Sequence, residues 1–315
     1  MGSSLPSRKL PGVSAEAAIE VDGLRKSYGA FEAVRGLSLN VRRGEIFAFL
    51  GPNGAGKTTT VEILEGFRHR DGGDVRVLGV DPEHGDRAWR TRIGIVLQEG
   101  TAQPELTVRE TLALWAAYYP SPRPVDETIE LAGLQEKADD RVGRLSGGQR
   151  RRLDVGLALI GDPDLVFLDE PTTGFDPVAR RVAWQVIAGL RDLGKTVFLT
   201  THYLDEAQEL ADRVAIVKAG LIVVEGPPDA LGSASPDTEI LFVPPANVEL
   251  GDLPISEPVT IVDGRARLRT QTPTRALATL TGWAAERGIE LERLEVLRPT
   301  LEDVYLELVE SAAAP

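Results

Sequence analysis

The chain has 315 residues, enough for one large domain and a smaller one. Its 26% charged and 42% apolar residues are typical of a globular protein, and a net charge of -13 argues against a surface that wraps nucleic acid. The absence of cysteine excludes disulfides and thiolate metal sites and fits a reducing compartment. No apolar run reaches the roughly 18 to 20 residues that cross a bilayer, so we expect any action at a membrane to need a separate membrane-embedded chain.

The first predicted domain follows a short arm. Residues 1–17 contain Ser, Pro and Gly without the apolar stretch of a signal peptide, which predicts a flexible arm. Residues 18–41 alternate strand-like runs with Gly and predict an antiparallel hairpin layer. Residues 45–50 are a continuous apolar run, typical of a strand covered on both faces. A glycine-rich loop and a helix over 57–66 come next.

The middle of the chain predicts a helical insert over about 100–160. Thr107 is a candidate N-cap for a helix to residue 119, with Glu110 completing a capping box, and a second helix starts at 125. Strands are then predicted at 165–168 and 196–200 with a helix over 177–193 between them. Residues 214–224 form two further strands joined by a turn. This alternation predicts an α/β domain over 18–230 with a mostly parallel sheet.

The composition changes after residue 228. A Ser- and Pro-containing linker over 232–236 leads to a predicted accessory α+β domain over 237–315. Its predicted elements are a strand at 237–245, a hairpin over 259–269 around Asp263-Gly264, a helix at 274–287, a strand at 291–296 and a helix at 300–309.

The glycine-rich loop matches the pattern G-x-x-x-x-G-K-[ST], which binds phosphate. Its backbone N–H groups and the following helix N-terminus form a cradle for phosphate oxygens. Lys57 reaches the phosphates and Thr58 offers its hydroxyl to Mg²⁺. The predicted nucleotide contacts of this loop are Gly51, Pro52, Asn53, Gly54, Ala55, Gly56, Lys57, Thr58 and Thr59.

A second motif, Leu145-Ser146-Gly147-Gly148-Gln149, lies downstream and is called the signature segment below. Ser146 is a predicted helix N-cap, and the free N–H groups of the first turn favour an anion. Two glycines in a first helical turn would cost roughly 1 kcal/mol each without a ligand role. The arginines at 150–152 are interpreted as a solvated helix face.

The two motifs, in this order, resemble the ATP-binding subunit of ABC transporters, and residues 171–177 after Asp169-Glu170 match the family's run into its D-loop. Phe175 stands where many relatives carry Leu. The resemblance implies a P-loop NTPase fold of the ABC ATPase type, ATP and Mg²⁺ as cofactors, and a head-to-tail dimer with a second copy that sandwiches two ATP molecules.

The resemblance also implies roles for individual residues. Asp169 would orient Mg²⁺ and Glu170 would polarise the attacking water. His202 would bind the γ-phosphate and position Glu170, and Gln98 would sense Mg²⁺ or the water. The remaining implied nucleotide contacts are Tyr28 against the adenine, Val34 against base or sugar, Asp176, and Ser146, Gly147, Gly148 and Gln149 acting on the nucleotide of the opposite subunit.

Residues 298–308 resemble the tail of bacterial drug-exporter ATPases of the daunorubicin-resistance type, whose membrane partner is a separate permease. The predicted function is therefore an ATPase that drives export of a drug-like or lipid-like substrate through an ABC-2 type permease at the cytoplasmic face of the plasma membrane. An importer ATPase or a non-transport ABC ATPase remains the alternative. A module that binds ATP without turnover is disfavoured by Glu170 and His202.

An aromatic face is predicted on the helix after Thr107. Trp115, Tyr118 and Tyr119 share this face at helical spacing. Such a face is usually part of a core, and the alternative is a groove that receives a short helix of a permease.

Overall fold

The computed structural model describes residues 17–96, 102–234, 238–245, 248, 250–297 and 301–310, without the side chains of 232–234 and 306–310. The predicted arm over 1–17 lies outside the described residues except for Ala17, which is the first residue of a strand. The chain divides into two compact units between Glu225 and Gly226, slightly before the predicted domain end at residue 230.

The first unit is built around a six-stranded sheet with the strand order β5-β6-β7-β3-β8-β9. Its strands, numbered along the whole chain, are β3 (Ile46–Leu50), β5 (Ile93–Val96), β6 (Leu165–Asp169), β7 (Thr196–Thr201), β8 (Arg213–Lys218) and β9 (Leu221–Gly226). Neighbouring strands pair in parallel from β5 through β6, β7 and β3 to β8. Strands β3 and β7 are buried along their whole length. The predicted mostly parallel α/β core is confirmed.

Aromatic packing fixes the centre of this sheet. The ring of Phe198 on β7 lies 5.5 to 5.7 Å from the rings of Phe47, Phe49 and Phe167. Aromatic pairs at such distances add to the stabilisation from apolar burial. The strand ends that carry the polar motifs are thus held by a rigid centre.

The predicted antiparallel layer is confirmed and contains one more strand than expected. Strands β1 (Ala17–Tyr28) and β2 (Phe31–Arg42) form the hairpin, and β4 (Gly72–Val77) pairs with the other edge of β1. The glycines at the start of β4 hid its strand character in the sequence.

Seven helices complete the first unit, as far as it is described: α1 (Lys57–Leu64), α2 (Arg87–Arg90), α3 (Val108–Ala116), α4 (Val125–Leu131), α5 (Gly147–Leu159), α6 (Pro177–Asp192) and α7 (Leu204–Leu210). The capping box of Thr107 and Glu110 is confirmed. Helix α3 ends at Ala116 rather than at residue 119, because turn bonds replace the helical bonds there. Helices α3, α4 and α5 share one apolar cluster, which makes the predicted helical insert.

The second unit is an α+β fold. It contains helices α8 (Pro228–Ala234), α9 (Pro273–Glu286) and α10 (Leu301–Glu310), and strands β10 (Thr238–Phe242), β11 (Val259–Val262), β12 (Arg265–Thr270) and β13 (Glu295–Leu297). The sheet order is β11-β12-β10-β13. Asp263 and Gly264 have φ angles of 51° and 77°, which confirms the predicted two-residue hairpin turn.

Two predictions in this unit are wrong. The linker at 232–236 begins inside α8, because Pro228 starts a helix where the sequence was interpreted as a break. The strand predicted at 291–296 shrinks to β13, since Arg293 has a φ of 52° and Leu291 is buried in the apolar cluster.

Candidate nucleotide-binding site

The phosphate-binding loop lies between β3 and α1, as predicted. Two of its glycines are required by packing against their own chain. A Cβ on Gly51 would overlap the carbonyl oxygen of Val217, and a Cβ on Gly56 would overlap that of Ala33. Gly54 has open space around it, and its φ of 79° favours glycine for conformational reasons.

Lys57 is the buried cation of this loop. Its Nζ donates hydrogen bonds to the carbonyl oxygens of Gly51 at 2.6 Å and Pro52 at 3.3 Å. Burial lowers the pKa of the ammonium group, and the charges of Glu170 and Asp169 oppose that shift. The loop therefore holds its lysine close to both carboxylates, while Thr58 beside it is exposed.

Asp169 and Glu170 follow the buried strand β6. The Asp169 carboxylate accepts a hydrogen bond from the Thr200 hydroxyl on β7. Glu170 has a φ of 46°, a left-handed conformation that costs a non-glycine residue about 1 to 3 kcal/mol. Such strain, held in place by surrounding structure, is common where a side chain must be aimed at a reacting group.

The Glu170 carboxylate is held by two neighbours. Its Oε1 lies 3.2 Å from Nδ1 of His202, and its Oε2 accepts a hydrogen bond from the Thr173 hydroxyl at 3.1 Å. His202 is exposed over 36% of its side chain, and its ring packs on Tyr203 at 4.1 Å between centroids. A half-exposed His with a fixed carboxylate neighbour can exchange hydrogen bonds with a ligand.

A cavity of about 400 Å³ is shared by the phosphate-binding loop, Glu170 and Tyr28 on the antiparallel hairpin. The Tyr28 hydroxyl lies 3.4 Å from Oγ1 of Thr59, and the Arg68 guanidinium lies 5.3 Å from the centre of the Tyr28 ring. Phe31 pairs with Tyr28 across the hairpin and is 60% exposed. The lining residues are Tyr28, Phe31, Ala33, Asn53, Gly54, Gly56, Lys57, Thr58, Thr59 and Glu170.

Two predicted contacts are not supported at this cavity. Val34 is 1% exposed and packs in the apolar core, because its side chain lies on the inner face of β2, so it has no free surface for a base or sugar. Gln98 lies outside the described residues. Phe31 was missed, although an aromatic residue three positions after Tyr28 beside a Gly turn is a usable signal.

The signature segment opens α5 as predicted. Ser146 is the N-cap: its hydroxyl accepts from the Gln149 N–H at 3.3 Å, and the Gln149 side chain accepts from the Ser146 N–H at 2.9 Å. No atom lies within 4 Å of a Cβ built on Gly147, and for Gly148 the nearest is Ala179 Cβ at 3.5 Å. Among the described residues, a Cβ on Gly147 would therefore meet open space and one on Gly148 only ordinary van der Waals contact.

The signature segment does not border the cavity beside Lys57. It lines a second, larger cavity of about 890 Å³ together with Glu170 and the D-loop residues Gly174, Phe175 and Asp176. Asp176 caps α6 by accepting from the N–H groups of Val178 and Ala179. One chain therefore brings Tyr28, the phosphate loop and Glu170 to one cavity, whereas the signature glycines line another cavity that shares Glu170 with it.

The interpretation of 150–152 as a solvated face is wrong for Arg151. This side chain is 8% exposed and donates hydrogen bonds to the carbonyl oxygens of Asp169 and Pro171. Arg150 and Arg152 donate instead to the carbonyl oxygens of Gly143 and Gly133.

The donors near the phosphate loop suit a metal ion that is shared with phosphate. No group of three or more His, Asp or Glu residues in the described part of the chain is arranged to hold a metal. Mg²⁺ commonly uses one or two protein oxygens plus phosphate and water. The Asp169 carboxylate and the Thr58 hydroxyl supply hard oxygen donors of this kind.

The aromatic face of α3 is partly core and partly groove. Trp115 and Tyr119 pack against the cluster of α3, α4 and α5, which confirms the core interpretation for them, whereas Tyr118 is 63% exposed. Trp115 and Tyr119 also line an open cavity of about 510 Å³, called the groove beside α3 below. The same cavity is lined by Glu65, Phe67 and Asp154, among others.

The fold and the phosphate-binding loop define a P-loop nucleotide-binding protein. The family model of the ABC transporter matches residues 34–173, and the model named ABC transporter domain-containing protein-like, C-terminal domain, matches residues 238–300.

Curated relatives match nearly the whole chain. Nod factor export ATP-binding protein I of Ralstonia nicotianae is 37% identical over 309 residues, covering 95% of this chain and 95% of the relative. Daunorubicin resistance ATP-binding protein DrrA3 of Streptomyces coeruleorubidus is 39% identical over 304 residues, covering 93% of this chain and 96% of the relative.

Solved structures match the first part of the chain. cbiO1 of Clostridium perfringens, part of the ABC transporter complex cbiONQ, superimposes with a TM-score of 0.63 and 26% identity, covering 69% of this chain and 91% of the other. The dimeric cassette MJ0796 bound to ADP and Pi gives a TM-score of 0.59 and 25% identity, covering 66% of this chain and 98% of the other. The chain belongs to the ABC transporter family and is an ATP-hydrolysing subunit of that family.

Proposed function

We propose that two copies of this chain close head to tail around two ATP molecules and that this closure drives a separate permease. The observation that carries the proposal is the separation of the two motifs. Lys57 and the signature glycines line different cavities in one chain. The glycine pair opens a capped helix, and a Cβ on Gly147 would meet no atom within 4 Å, which favours an anion brought by another chain.

In the proposed site, each residue has a role that its geometry supports. Tyr28 stacks on the adenine, and the loop from Gly51 to Thr59 with Lys57 holds the phosphates. Thr58 and Asp169 would hold Mg²⁺, which would supply positive charge beside the phosphates. Glu170 takes up the proton of the attacking water, and His202 keeps its carboxylate oriented through the 3.2 Å contact. Asp176 and the signature segment complete the partner's site.

We propose export as the direction of transport, with a drug-like or lipid-like cargo and an ABC-2 type permease. Two relatives that span this chain almost completely carry export and drug resistance in their names. In the described part of the chain, no helix is both long and apolar enough to cross a membrane. The proposal therefore places the chain at the cytoplasmic face of the plasma membrane through its permease.

The groove beside α3 is the proposed docking place for that permease. Its walls are mostly apolar and aromatic with Glu65, Arg90 and Asp154 among them, and Phe67 is 67% exposed. An amphipathic helix is the kind of partner that such a groove fits, since its apolar face would cover Phe67 and Trp115. The importer alternative shares all of these features, so transport into or out of vesicles separates the two.

Replacing Glu170 tests the proposed chemistry. Glu170→Gln keeps the shape of the side chain but removes the proton acceptor, and we expect ATP turnover to fall by about 10² to 10⁴. An ATP-dependent dimer should persist in this variant, measured by sedimentation. Glu209→Gln on the exposed face of α7 is the matched control and should hydrolyse ATP normally. Full turnover by the Glu170 variant would overturn its role.

A further inference from the structure

Arg151 connects two elements that serve different sites. It lies one turn into α5, separated from the signature segment by Arg150, and its side chain is 8% exposed. Its Nε donates to the carbonyl oxygen of Pro171 at 3.1 Å, and one terminal nitrogen donates to that of Asp169 at 2.8 Å. These two carbonyls belong to the residues on either side of Glu170.

The two hydrogen bonds of the Arg151 guanidinium, called its fork below, therefore hold the backbone turn that orients the Glu170 carboxylate. Glu170 adopts its left-handed φ of 46° between the two carbonyls that the guanidinium binds. Charge-assisted hydrogen bonds of this kind are stronger than neutral ones, and the planar guanidinium can bind both carbonyls at once. Burial lowers the pKa of the Arg151 guanidinium, and the negative charges of Asp154, Asp169 and Glu206 oppose that shift. A lysine could not reproduce the fork, because it is a point charge on a flexible stem.

The three successive arginines at 150–152 donate hydrogen bonds to different segments of the unit. Arg150 donates to Gly143 at 3.2 Å and Arg152 to Gly133 at 2.7 Å, both within the part of the unit that precedes α5. Arg151 alone among the three is seen to bind the segment after β6. It thus joins the helix that carries the signature glycines to the loop that carries Glu170.

We propose that Arg151 is a positioning residue that transmits engagement of the signature segment by the partner's nucleotide to Glu170 of the same chain. This inference rests on the proposed function, because only in a head-to-tail dimer do the signature segment and Glu170 of one chain serve different nucleotides. Movement of α5 toward a bound phosphate would shift both carbonyls through a rigid fork, and Glu170 would follow. The two sites would then hydrolyse ATP cooperatively.

The test compares Arg151→Lys with Arg152→Lys in the full-length protein. We measure ATPase rate against ATP concentration, binding of a fluorescent ATP analogue, and thermal stability. We expect Arg151→Lys to bring the Hill coefficient of hydrolysis toward 1 and to lower kcat. Analogue binding at the phosphate loop should stay close to that of wild type, because Arg151 does not line the cavity beside Lys57. Arg152→Lys should keep the wild-type Hill coefficient.

Several results would overturn the inference. A wild-type Hill coefficient of 1, an unchanged coefficient in Arg151→Lys, or the same loss in Arg152→Lys each contradicts it. Arg151→Gln serves as a second variant if Arg151→Lys does not fold, because a neutral amide buries no charge. The proposed dimer is examined separately, since Glu170→Gln should form it with ATP whatever Arg151 does. If an ATP-dependent dimer forms and Arg151→Lys keeps the wild-type Hill coefficient, the inference is contradicted. The proposed function is then still supported.

Discussion

Glu65 is the most unusual titratable residue of the groove beside α3. It is 8% exposed and lines the groove. Burial raises the pKa of its carboxyl from 4.5 to about 8, with smaller contributions from the negative charges of Asp169 and Glu62. The folded protein therefore keeps Glu65 neutral at pH values where an unfolded chain has released the proton.

This difference predicts that stability falls as pH rises. Below the unfolded pKa near 4.5 Glu65 is protonated in both states, and between 4.5 and about 8 only the folded state holds the proton. The free energy of unfolding should drop by up to about 1.4 kcal/mol per pH unit across that window. Glu65→Gln should remove this slope and exceed the wild type in stability near pH 8. Denaturant titrations without nucleotide from pH 5 to 9 measure it, with Glu130→Gln as control.

Equal slopes in wild type and Glu65→Gln would show that Glu65 is already ionised in the folded state. Asp154 titrates in both proteins, because burial raises its pKa to about 6. Its contribution therefore cancels in the comparison, and the difference between the two curves belongs to Glu65.

Tyr28 provides a second prediction for a single residue. Its ring lines the cavity beside the phosphate loop and is 42% exposed. Tyr28→Ala should weaken ATP binding by about 3- to 10-fold, the loss expected for one aromatic stacking contact. Titration with a fluorescent ATP analogue measures this. Tyr118→Ala, which removes an exposed tyrosine that does not line this cavity, should bind normally, and equal affinity in both variants would remove Tyr28 from the site.

The sequence predicted single residues best where a motif fixes the backbone. Lys57, Asp169 and Glu170 lie together because the loop follows β3 and the carboxylates end β6 in the same parallel sheet. Val34 was misplaced because its role came from a resemblance, whereas the register of β2 turns it inward. Arg151 was missed because its acceptors lie about 20 residues further along the chain, a contact that no local pattern shows.

At the scale of elements, the helix α5 begins with the signature glycines and should be more stable with alanine in place of Gly147. Gly147 is the first residue of this helix, and a Cβ there meets no atom within 4 Å. Gly147→Ala should therefore raise the free energy of unfolding by up to about 1 kcal/mol, because alanine has the higher helix propensity. Chemical denaturation measures the change. A loss of stability would mean that the chain itself needs this glycine.

Element boundaries were harder to predict than element types. Helix α8 was missed because Pro227-Pro228 is commonly a break, yet Pro at the first position of a helix is favourable. β4 was missed since its first two residues are glycines. For β4, pairing with the distant strand β1 decides the outcome.

At the scale of the whole molecule, the two units have separate apolar cores. The solved cassettes cover 66 to 69% of this chain, while the curated relatives cover up to 95% of it. Leu280 on α9 is fully buried in the apolar core of the second unit.

The separate cores predict separate unfolding transitions. Leu280→Ala should destabilise the second unit by about 2 to 5 kcal/mol and leave the unfolding of the first unit unchanged. Calorimetry of wild type and variant measures this, and ATPase activity of the variant at 25 °C reports on the first unit. A single transition that shifts as a whole would show that the two units unfold together.

The sequence could not show the shape of the complete site, because that site needs atoms of two chains. One copy leaves Lys57 and the signature glycines on different cavities. The resemblance predicted that a second copy joins them, and the free space before Gly147 supports the proposal. Only an experiment on the assembled protein tests it.

The most direct measurement is the ATP-dependent mass of the protein in sedimentation equilibrium. Glu170→Gln with Mg²⁺ and ATP should have twice the mass of one chain and should return to monomer when ATP is removed. The double variant Gly147→Leu with Glu170→Gln should bind the ATP analogue at its phosphate loop and yet stay monomeric, because the added side chain occupies the space of the partner's phosphate. An ATP-dependent dimer that forms equally well with leucine at position 147 would contradict the account.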